Sequence, residues 1–178
     1  LLLDRPIVNA PGILGFAPDP HNMPFLAELG AFVTNPISRR PRQPATNRNC
    51  LPFPGGFLLH TGLPNPGISR VIAANERRWT GAPLPIIPHL LAESPEPLME
   101  MVRKLEGLEN LLAVEVSLPP ECTSQQLLDL MHAAAGELPV VVCLGQEQVP
   151  FLLEALQDLQ PVGVHLTASR GALLSPQG

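Results

Sequence analysis

Thiols and imidazoles are the side chains of this sequence best suited to chemistry, but they follow no regular spacing along the chain. Neither set shows the short spacing that is typical of a zinc site. The cysteines are Cys50, Cys122 and Cys143, and the histidines are His21, His60, His89, His132 and His165. The spacing therefore predicts no metal site. Three cysteines without a paired pattern favour reduced thiols and a cytoplasmic location.

Two of the cysteines differ in their surroundings. Cys122 stands in a polar stretch after an apolar segment, where a catalytic role would need a depressed thiol pKa. Its neighbour Glu121 would raise the thiol pKa, which opposes that role. Cys143 lies within an apolar run and is typical of a small core residue.

Arginines are concentrated in one segment, at Arg39, Arg40, Arg42 and Arg48. Such a cluster is compatible with an anion site or with a solvated loop. The loop interpretation is favoured because no aromatic residues are interleaved with the charges. The net charge of −5 argues against a nucleic-acid partner.

The elements that position these residues alternate along the chain. Apolar segments of strand length predict six strands, and amphipathic or capped segments predict five helices. We expect strands near 2–10, 31–34, 84–90, 111–116, 139–144 and 162–166, and helices near 22–30, 68–79, 94–105, 123–134 and 152–159. The segment 35–66, rich in proline, glycine and arginine, is predicted to be a long functional loop.

Helix caps support the helical assignments. Asn22 and Ser94 are placed to cap two helices, and Thr123 with Gln126 has the spacing of a capping box. No run of eighteen apolar residues is present, so no membrane span is expected.

Strands that are apolar on both faces and joined by helices indicate a parallel sheet covered by helices. Either a doubly wound sheet or a barrel satisfies this pattern. The first strand is not followed by G-x-G-x-x-G, which disfavours a dinucleotide-binding sheet. A barrel needs eight strands, so six predict a sheet whose edges need covering by a second copy, another subunit or further chain.

Three blocks of the sequence resemble class 1 dihydroorotate dehydrogenases. Residues 6–16 resemble the family's N-P-V-M-N-A-S-G-T-F-G, and residues 29–38 resemble L-G-A-V-V-T-K-T-I-T. The G-L-P-N-P-G of residues 62–67 resembles the family's G-L-Q-N-P-G and is the most specific of the three. The resemblance implies an incomplete (β/α)₈ barrel formed by residues 1–178 as a single domain, with the 35–66 loop at its mouth.

The resemblance also implies FMN as cofactor and the oxidation of dihydroorotate to orotate in pyrimidine biosynthesis. It places the cofactor over the carboxyl-terminal mouth of the barrel. The positions that the resemblance assigns to the cofactor are Ala10, Pro11, Gly12, Asn35, Ser117 and Cys143. The positions that it assigns to the substrate are Gly62, Leu63 and Asn65.

At several of these positions the residue type departs from the family pattern. The family's two lysines fall on Asn35 and Cys143. Its general-base cysteine falls on Pro120, so the resemblance makes Cys122, two positions later, the candidate catalytic thiol. Glu115 is kept, whereas the asparagine two positions later is Ser117. We therefore expect an altered active site and FMN that is weakly held or absent.

Three functional hypotheses remain open from the sequence. The first is a dihydroorotate-dehydrogenase-like oxidoreductase with an altered site, and the second is a non-catalytic barrel kept for binding or assembly. The third is a flavoprotein acting on another small molecule. If a barrel forms, His60, His89 and His165 are candidates to meet near its mouth.

Overall fold

The computed structural model describes residues 2–46 and 50–168. The strands are β1 (Phe32–Val33), β2 (Cys50–Phe53), β3 (Gly56–Leu59), β4 (Ile86–Ile87), β5 (His89–Leu91), β6 (Val114–Ser117), β7 (Val140–Gly145) and β8 (Gly163–Thr167). The α-helices are α1 (Ile68–Thr80), α2 (Pro95–Leu105), α3 (Ser124–Ala134) and α4 (Val149–Leu159). Two 3₁₀ helices span Pro24–Glu28 and Gln146–Gln148.

The parallel strands follow one another in chain order. β1 pairs with β4, and β5, β6, β7 and β8 pair successively, all in parallel. A parallel bridge between Ile37 and Leu90 continues the pairing on the β1 side. A doubly wound sheet would reverse its strand order, whereas sequential order is that of a barrel. The chain is a partial (β/α) barrel, as the sequence predicted.

The two faces of this sheet have different partners. The even-numbered side chains of β6 and β7, including Val116 and Val142, are buried against the helices in the main core. The odd-numbered side chains point to the barrel interior. Part of that interior is a small apolar cluster of Ala31, Val33, Ile87, Ala113 and Val141.

The predicted first strand is reduced to a single bridge. Val8 pairs in parallel with Ala31, and no strand forms around it within the described residues 2–31. Pro6 and Pro11 lack the N–H that a ladder needs. The side chain of Asn9 instead bonds to both backbone groups of Val33, donating to its carbonyl at 2.7 Å and accepting from its N–H at 2.9 Å.

The predicted strand at 84–90 is divided at Pro88, which cannot donate a ladder hydrogen bond. β4 before it pairs with β1, and β5 after it pairs with β6. The Pro88 carbonyl still accepts from the Glu115 N–H at 2.9 Å. Both β1 and β6 therefore remain hydrogen-bonded to this divided segment.

The first predicted helix is a 3₁₀ helix, and the prediction that Asn22 caps it is wrong. Met23 is the N-cap residue, while the Asn22 side chain donates to the Asp19 carboxylate at 2.7 Å. The local Asp19–Asn22 turn takes the side chain that the sequence assigned to the cap. The remaining four predicted helices are α-helices close to their expected bounds, and none is long and apolar enough to cross a membrane among the described residues.

The 35–66 segment contains regular structure that the sequence prediction did not include. β2 and β3 form an antiparallel hairpin joined by Pro54 and Gly55, whose φ of 98° suits the third position of a type II turn. An antiparallel bridge between Arg42 and Asn65 lies further down the same two arms. The described parts of the segment, 35–46 and 50–66, therefore form a two-armed ribbon between the carboxyl end of β1 and the start of α1.

Candidate functional site

The barrel interior brings together four side chains that can do chemistry, one from each of four adjacent strands. They are His89, Glu115, Cys143 and His165, here called the His–Glu–Cys cluster. Strand register aligns His89 with Glu115 and Cys143 with His165. Because side chains alternate along a strand, these odd-numbered positions share the inner face.

The carboxylate of Glu115 is the centre of the cluster. Nδ1 of His89 lies 2.5 Å from Oε1 of Glu115, and Nδ1 of His165 lies 3.0 Å from Oε2. With Glu115 ionised, both Nδ1–H groups donate to it. His89, Glu115 and Cys143 are buried, whereas the His165 side chain is 31% exposed. His165 is therefore the side of the cluster that solvent reaches.

Hydrogen bonding decides the charge of this carboxylate. Burial raises the pKa of Glu115, but hydrogen bonds from His165 and His89 outweigh it and lower the pKa from 4.5 to about 2. The neighbouring Cys143 and Glu115 raise the pKa of His165 from 6.5 to about 10. At neutral pH the cluster holds an anionic carboxylate beside an imidazolium.

The sequence expectation that three histidines meet is fulfilled for two of them. His89 and His165 share Glu115, while His60 is exposed beyond the hairpin and has no hydrogen bond to either among the described residues. The spacing of the histidines could not reveal this cluster, because its members lie on different strands. The available signal was an odd-numbered polar residue within each of four consecutive apolar strands.

Asn65, predicted to contact substrate, is buried and hydrogen-bonded to backbone. Its Oδ1 accepts from the Ser38 N–H, the Ser38 hydroxyl and the Gly67 N–H, and its Nδ2 donates to the Leu63 carbonyl. These contacts join the two arms of the ribbon to the start of α1. They give Asn65 an architectural role.

Gly62 and Leu63 lie where the ribbon arms approach closely. A Cβ on Gly62 would lie 2.8 Å from the Ala45 nitrogen, and its φ of 76° is positive. Leu63 also has a positive φ, at 49°, and its side chain is exposed. The backbone shape of this turn explains the glycine.

Among the predicted cofactor positions near the first bridge, Asn35 is hydrogen-bonded to the backbone of Gly15 in the turn that follows the bridge. Ala10, Pro11 and Gly12 follow Asn9 at the carboxyl end of the Val8 bridge, and Gly12 has a φ of 89°. The Oδ1 of Asn35 accepts from the Gly15 N–H at 3.0 Å. The Asn35 N–H donates to the Gly15 carbonyl at 2.8 Å. This pair fastens the turn to the end of β1.

Ser117 and Cys143, the other two predicted cofactor positions, are register partners on β6 and β7, and both are buried. Beyond them, the Gln148 side chain donates to the carbonyls of Pro119 and Pro120. Hydrogen bonds from Gln148 therefore hold the turn that contains Pro120. Proline has no thiol, so the general base that the resemblance implies is absent at this position.

Cys122, the candidate catalytic thiol, is buried, and its Sγ donates to the Thr123 carbonyl at 3.5 Å. Burial raises the pKa of the Cys122 thiol. It does not join the His–Glu–Cys cluster. A raised pKa lowers the thiolate fraction that a base or nucleophile needs.

Two arginines of the ribbon, Arg39 and Arg42, are paired with acidic side chains. Arg39 contacts Glu100 at 2.5 Å, and Arg42 contacts Glu93 at 3.3 Å and the Gly62 carbonyl at 3.3 Å. Arg48 lies outside the described residues. These pairings give the solvated-loop interpretation more support than the anion-site interpretation.

A cavity of about 440 Å³ lies at the opposite end of the barrel from this chemistry. It is lined by residues that precede the strands, including Gly30 before β1 and Pro85 before β4. Barrel enzymes place their catalytic groups at the carboxyl ends of strands. The cavity is therefore not the candidate active site.

Comparison with known proteins decides the family. Residues 1–148 match the dihydroorotate dehydrogenase family. The chain belongs to the dihydroorotate dehydrogenase family. It is similar to a dihydroorotate dehydrogenase B (NAD⁺) catalytic subunit of Pelobacter propionicus, at 29% identity over 97% of this chain and 57% of that protein. It is also similar to a putative dihydroorotate dehydrogenase A (fumarate) of Pediococcus pentosaceus, at 29% identity over 93% and 52%.

This chain spans little more than half the length of these dihydroorotate dehydrogenase relatives. The family implies FMN as cofactor and a dihydroorotate-dehydrogenase-like function. The described residues do not fit FMN in the way the resemblance implies. Asn35 is bound to Gly15, Cys143 offers a thiol where a cation is expected, and no lysine lies at either position.

Proposed function

We propose that this chain forms the amino-terminal part of a dihydroorotate-dehydrogenase-like oxidoreductase with an altered catalytic mouth. The observation that carries the proposal is the sequential parallel barrel combined with the family match over residues 1–148. The reaction class is the oxidation of dihydroorotate to orotate. The proposed organisation is a single partial-barrel domain over residues 1–178, with the 35–66 ribbon at the mouth.

The alteration is concentrated at the positions that would touch flavin and substrate. Asn35 and Cys143 replace two cations, Ser117 replaces an amide, and Pro120 replaces the base. Removing one group that stabilises a transition state costs orders of magnitude in rate. We expect oxidation of dihydroorotate, if catalysed, to be slow and to lack a cysteine base.

The same replacements make FMN weakly held. Backbone groups around Ala10, Pro11 and Gly12 and the turn at Gly62, Leu63 and Asn65 remain the proposed contacts for cofactor and substrate. The lysines expected at Asn35 and Cys143 are absent, and the imidazolium beside Cys143, that of His165, is hydrogen-bonded to Glu115. Burial and the raised pKa of Cys122 support its exclusion as a replacement base.

The test uses the full native protein, purified and then loaded with FMN. After gel filtration we expect flavin absorbance well below one equivalent, and slow anaerobic bleaching of supplied FMN by dihydroorotate. Stoichiometric flavin after gel filtration would refute weak binding. Rapid bleaching would refute the proposal that the replacements at the mouth slow the oxidation of dihydroorotate.

The second candidate is a non-catalytic barrel kept for binding or assembly. It is favoured by the commitment of Asn35 and Asn65 to backbone contacts, which leaves their side chains engaged within the fold. Complete absence of both flavin binding and dihydroorotate-dependent bleaching, in a folded protein, would select this candidate.

We also propose that the barrel is closed by further polypeptide, which is a second copy, another subunit or further residues of the same polypeptide. One relative is itself a catalytic subunit, so it acts with another subunit. The exposed outer face of β8 supports the proposal, since Val164 and Leu166 are 47% and 51% exposed.

The cysteines Cys50, Cys122 and Cys143 are all free thiols, which supports the proposal of a reducing, cytoplasmic location.

A further inference from the structure

The His–Glu–Cys cluster has the composition of a metal site. One ligand atom each from His89, Glu115 and Cys143 lies within 4.8 Å of the other two, and all three residues are buried. The dihydroorotate oxidation proposed above assigns no role to His89 or Glu115 and treats Cys143 only as the replacement of a lysine. We propose that His89, Glu115 and Cys143 bind a divalent transition-metal ion of the zinc class.

The geometry is close to that of a bound ion. Zinc binds sulfur at about 2.3 Å and nitrogen or oxygen at about 2.0–2.2 Å, so tetrahedral ligand atoms lie about 3.5 Å apart. All three ligand atoms lie within 4.8 Å of one another, so coordination requires the 2.5 Å contact between His89 and Glu115 to open by about 1 Å and any pair at the outer limit to close by about 1.3 Å. Three adjacent parallel strands supply one ligand each, so their positions are fixed by the register of the sheet.

The charges also match a divalent ion. The described interior around the cluster contains a buried carboxylate and a buried thiol, and neither Arg nor Lys is hydrogen-bonded to Glu115 among the described residues. One carboxylate, one thiolate and a neutral imidazole carry two negative charges, which balance the +2 of the ion once the proton on the neighbouring His165 has been released. An imidazole, thiolate and carboxylate set favours zinc-class ions over magnesium or calcium, which prefer oxygen ligands.

His165 acts in this arrangement as a positioning residue. Its Nδ1 lies 3.0 Å from Oε2 of Glu115, so it holds the carboxylate while Oε1 faces His89. Hydrogen-bond partners of metal ligands commonly change affinity by about 10–100-fold when they are removed. The partly exposed His165 side also provides the route by which an ion and a water ligand enter.

The experiment measures metal, without reference to flavin or turnover. The full native protein is stripped with a chelator, dialysed against Zn²⁺ and then analysed for metal content, and Co²⁺ is substituted for spectroscopy. We expect one equivalent of zinc and a thiolate-to-cobalt charge-transfer band. The variants Cys143→Ser and His89→Gln should each lose the band and at least about 100-fold in affinity.

Matched controls separate this cluster from other thiols and imidazoles. Cys122→Ser removes a buried thiol outside the cluster, and His132→Gln removes an exposed imidazole on α3. Both should keep the full metal content and the cobalt band, whereas His165→Gln should weaken binding by about 10–100-fold without abolishing it. Circular dichroism checks that each variant is folded.

Two results would overturn the proposal. One is a native protein that binds no zinc or shows no thiolate-to-cobalt band. The other is unchanged binding in folded Cys143→Ser and His89→Gln proteins. Should Cys143→Ser fail to fold, X-ray absorption of the zinc-loaded native protein decides, because the proposal requires one sulfur among the ligands.

Discussion

Glu115 and His165 are fifty residues apart in the sequence, yet Oε2 of Glu115 lies 3.0 Å from Nδ1 of His165. They are separated in the sheet by one strand, β7, whose Cys143 is the register partner of His165. The register pairs Glu115 with Val141 and Cys143 with His165, so His165 lies one inward-facing position further along its strand and reaches the carboxylate diagonally. An acidic and a basic group thus face each other inside the barrel.

The charge of this pair makes the stability of the metal-free protein depend on pH. The pKa of Glu115 is lowered to about 2, so its contribution is present above 4.5 and is lost as the pH falls through 2. The pKa of His165 is raised to about 10, so its contribution is present below 6.5 and is lost as the pH rises through 10. Stability from the pair is therefore greatest between 4.5 and 6.5.

We predict that Glu115→Gln lowers the free energy of unfolding by about 2 kcal/mol at pH 5.5, a value reduced for the partial exposure of His165. The difference from the native protein should shrink above pH 10. Urea unfolding in the presence of a chelator measures both effects, with His132→Gln as the control. A loss that stays constant from pH 5.5 to 10.5 would show that charge is not its cause.

Cys122 is predicted to be a slow thiol. Burial raises its pKa, so less thiolate is present at pH 8 than at an exposed cysteine. We expect alkylation of Cys122 to be at least about tenfold slower than that of Cys50, which is exposed. Mass spectrometry of the alkylated peptides provides the two rates, and equal rates would restore Cys122 as a candidate base.

Asn65 is predicted to stabilise the ribbon. Asn65→Ala would leave the Ser38 and Gly67 N–H groups without their acceptor in a buried site. Each unsatisfied group costs about 1–3 kcal/mol, so we expect a loss of about 3 kcal/mol in the free energy of unfolding. Asn22→Ala, which removes an exposed hydrogen bond, is the control and should cost less than about 1 kcal/mol. Similar losses at both positions would contradict the architectural role of Asn65.

Of two N-cap residues predicted from the sequence, Thr123 forms side-chain hydrogen bonds to its helix and Ser94 does not. Substituting each by alanine should therefore cost different amounts of stability. Thr123 accepts from the Gln126 N–H at 3.2 Å, and the Gln126 side chain accepts from the Thr123 N–H at 2.9 Å. Ser94 occupies the N-cap of α2 without a side-chain hydrogen bond to the helix. We predict that Thr123→Ala costs about 1 kcal/mol, whereas Ser94→Ala costs a few tenths. Thermal unfolding of the two variants is the measurement, and a larger loss for Ser94→Ala would contradict it.

Much of the fold was predictable because the spacing of apolar residues and the helix-capping motifs are local properties of the sequence. The buried face of α3, namely Leu127, Leu130, Met131 and Ala134, follows directly from its spacing. The first strand was not predictable, because Asn9 bonds to Val33 through its side chain and replaces the expected ladder.

The candidate site was predictable only in part, since it depends on strand register. Glu115 was identified by resemblance, and His89 and His165 were identified only as residues able to meet. Neither residue spacing nor the family pattern places Cys143 beside them. That placement requires the register of β6, β7 and β8, which the sequence does not contain in any local pattern.

The outer face of β8 provides the last prediction. Val164 and Leu166 lie on the same face as Val142 and Leu144 of β7, which are buried under helices. Since Val164 is 47% exposed among the described residues, the proposed closing polypeptide should cover it in the full native protein. Val164→Asp should then cost about 2 kcal/mol or more, because a carboxylate would enter an apolar contact.

The matched control is Leu153→Asp on α4. Leu153 is 49% exposed and lies at the edge of the buried face of α4 that contains Leu152 and Leu156. A residue that stays in solvent costs within about 0.5 kcal/mol when it is replaced. Urea unfolding of the full native protein measures both variants. If Val164→Asp is as mild as Leu153→Asp, the β8 face remains in solvent, and the barrel is not closed on that side.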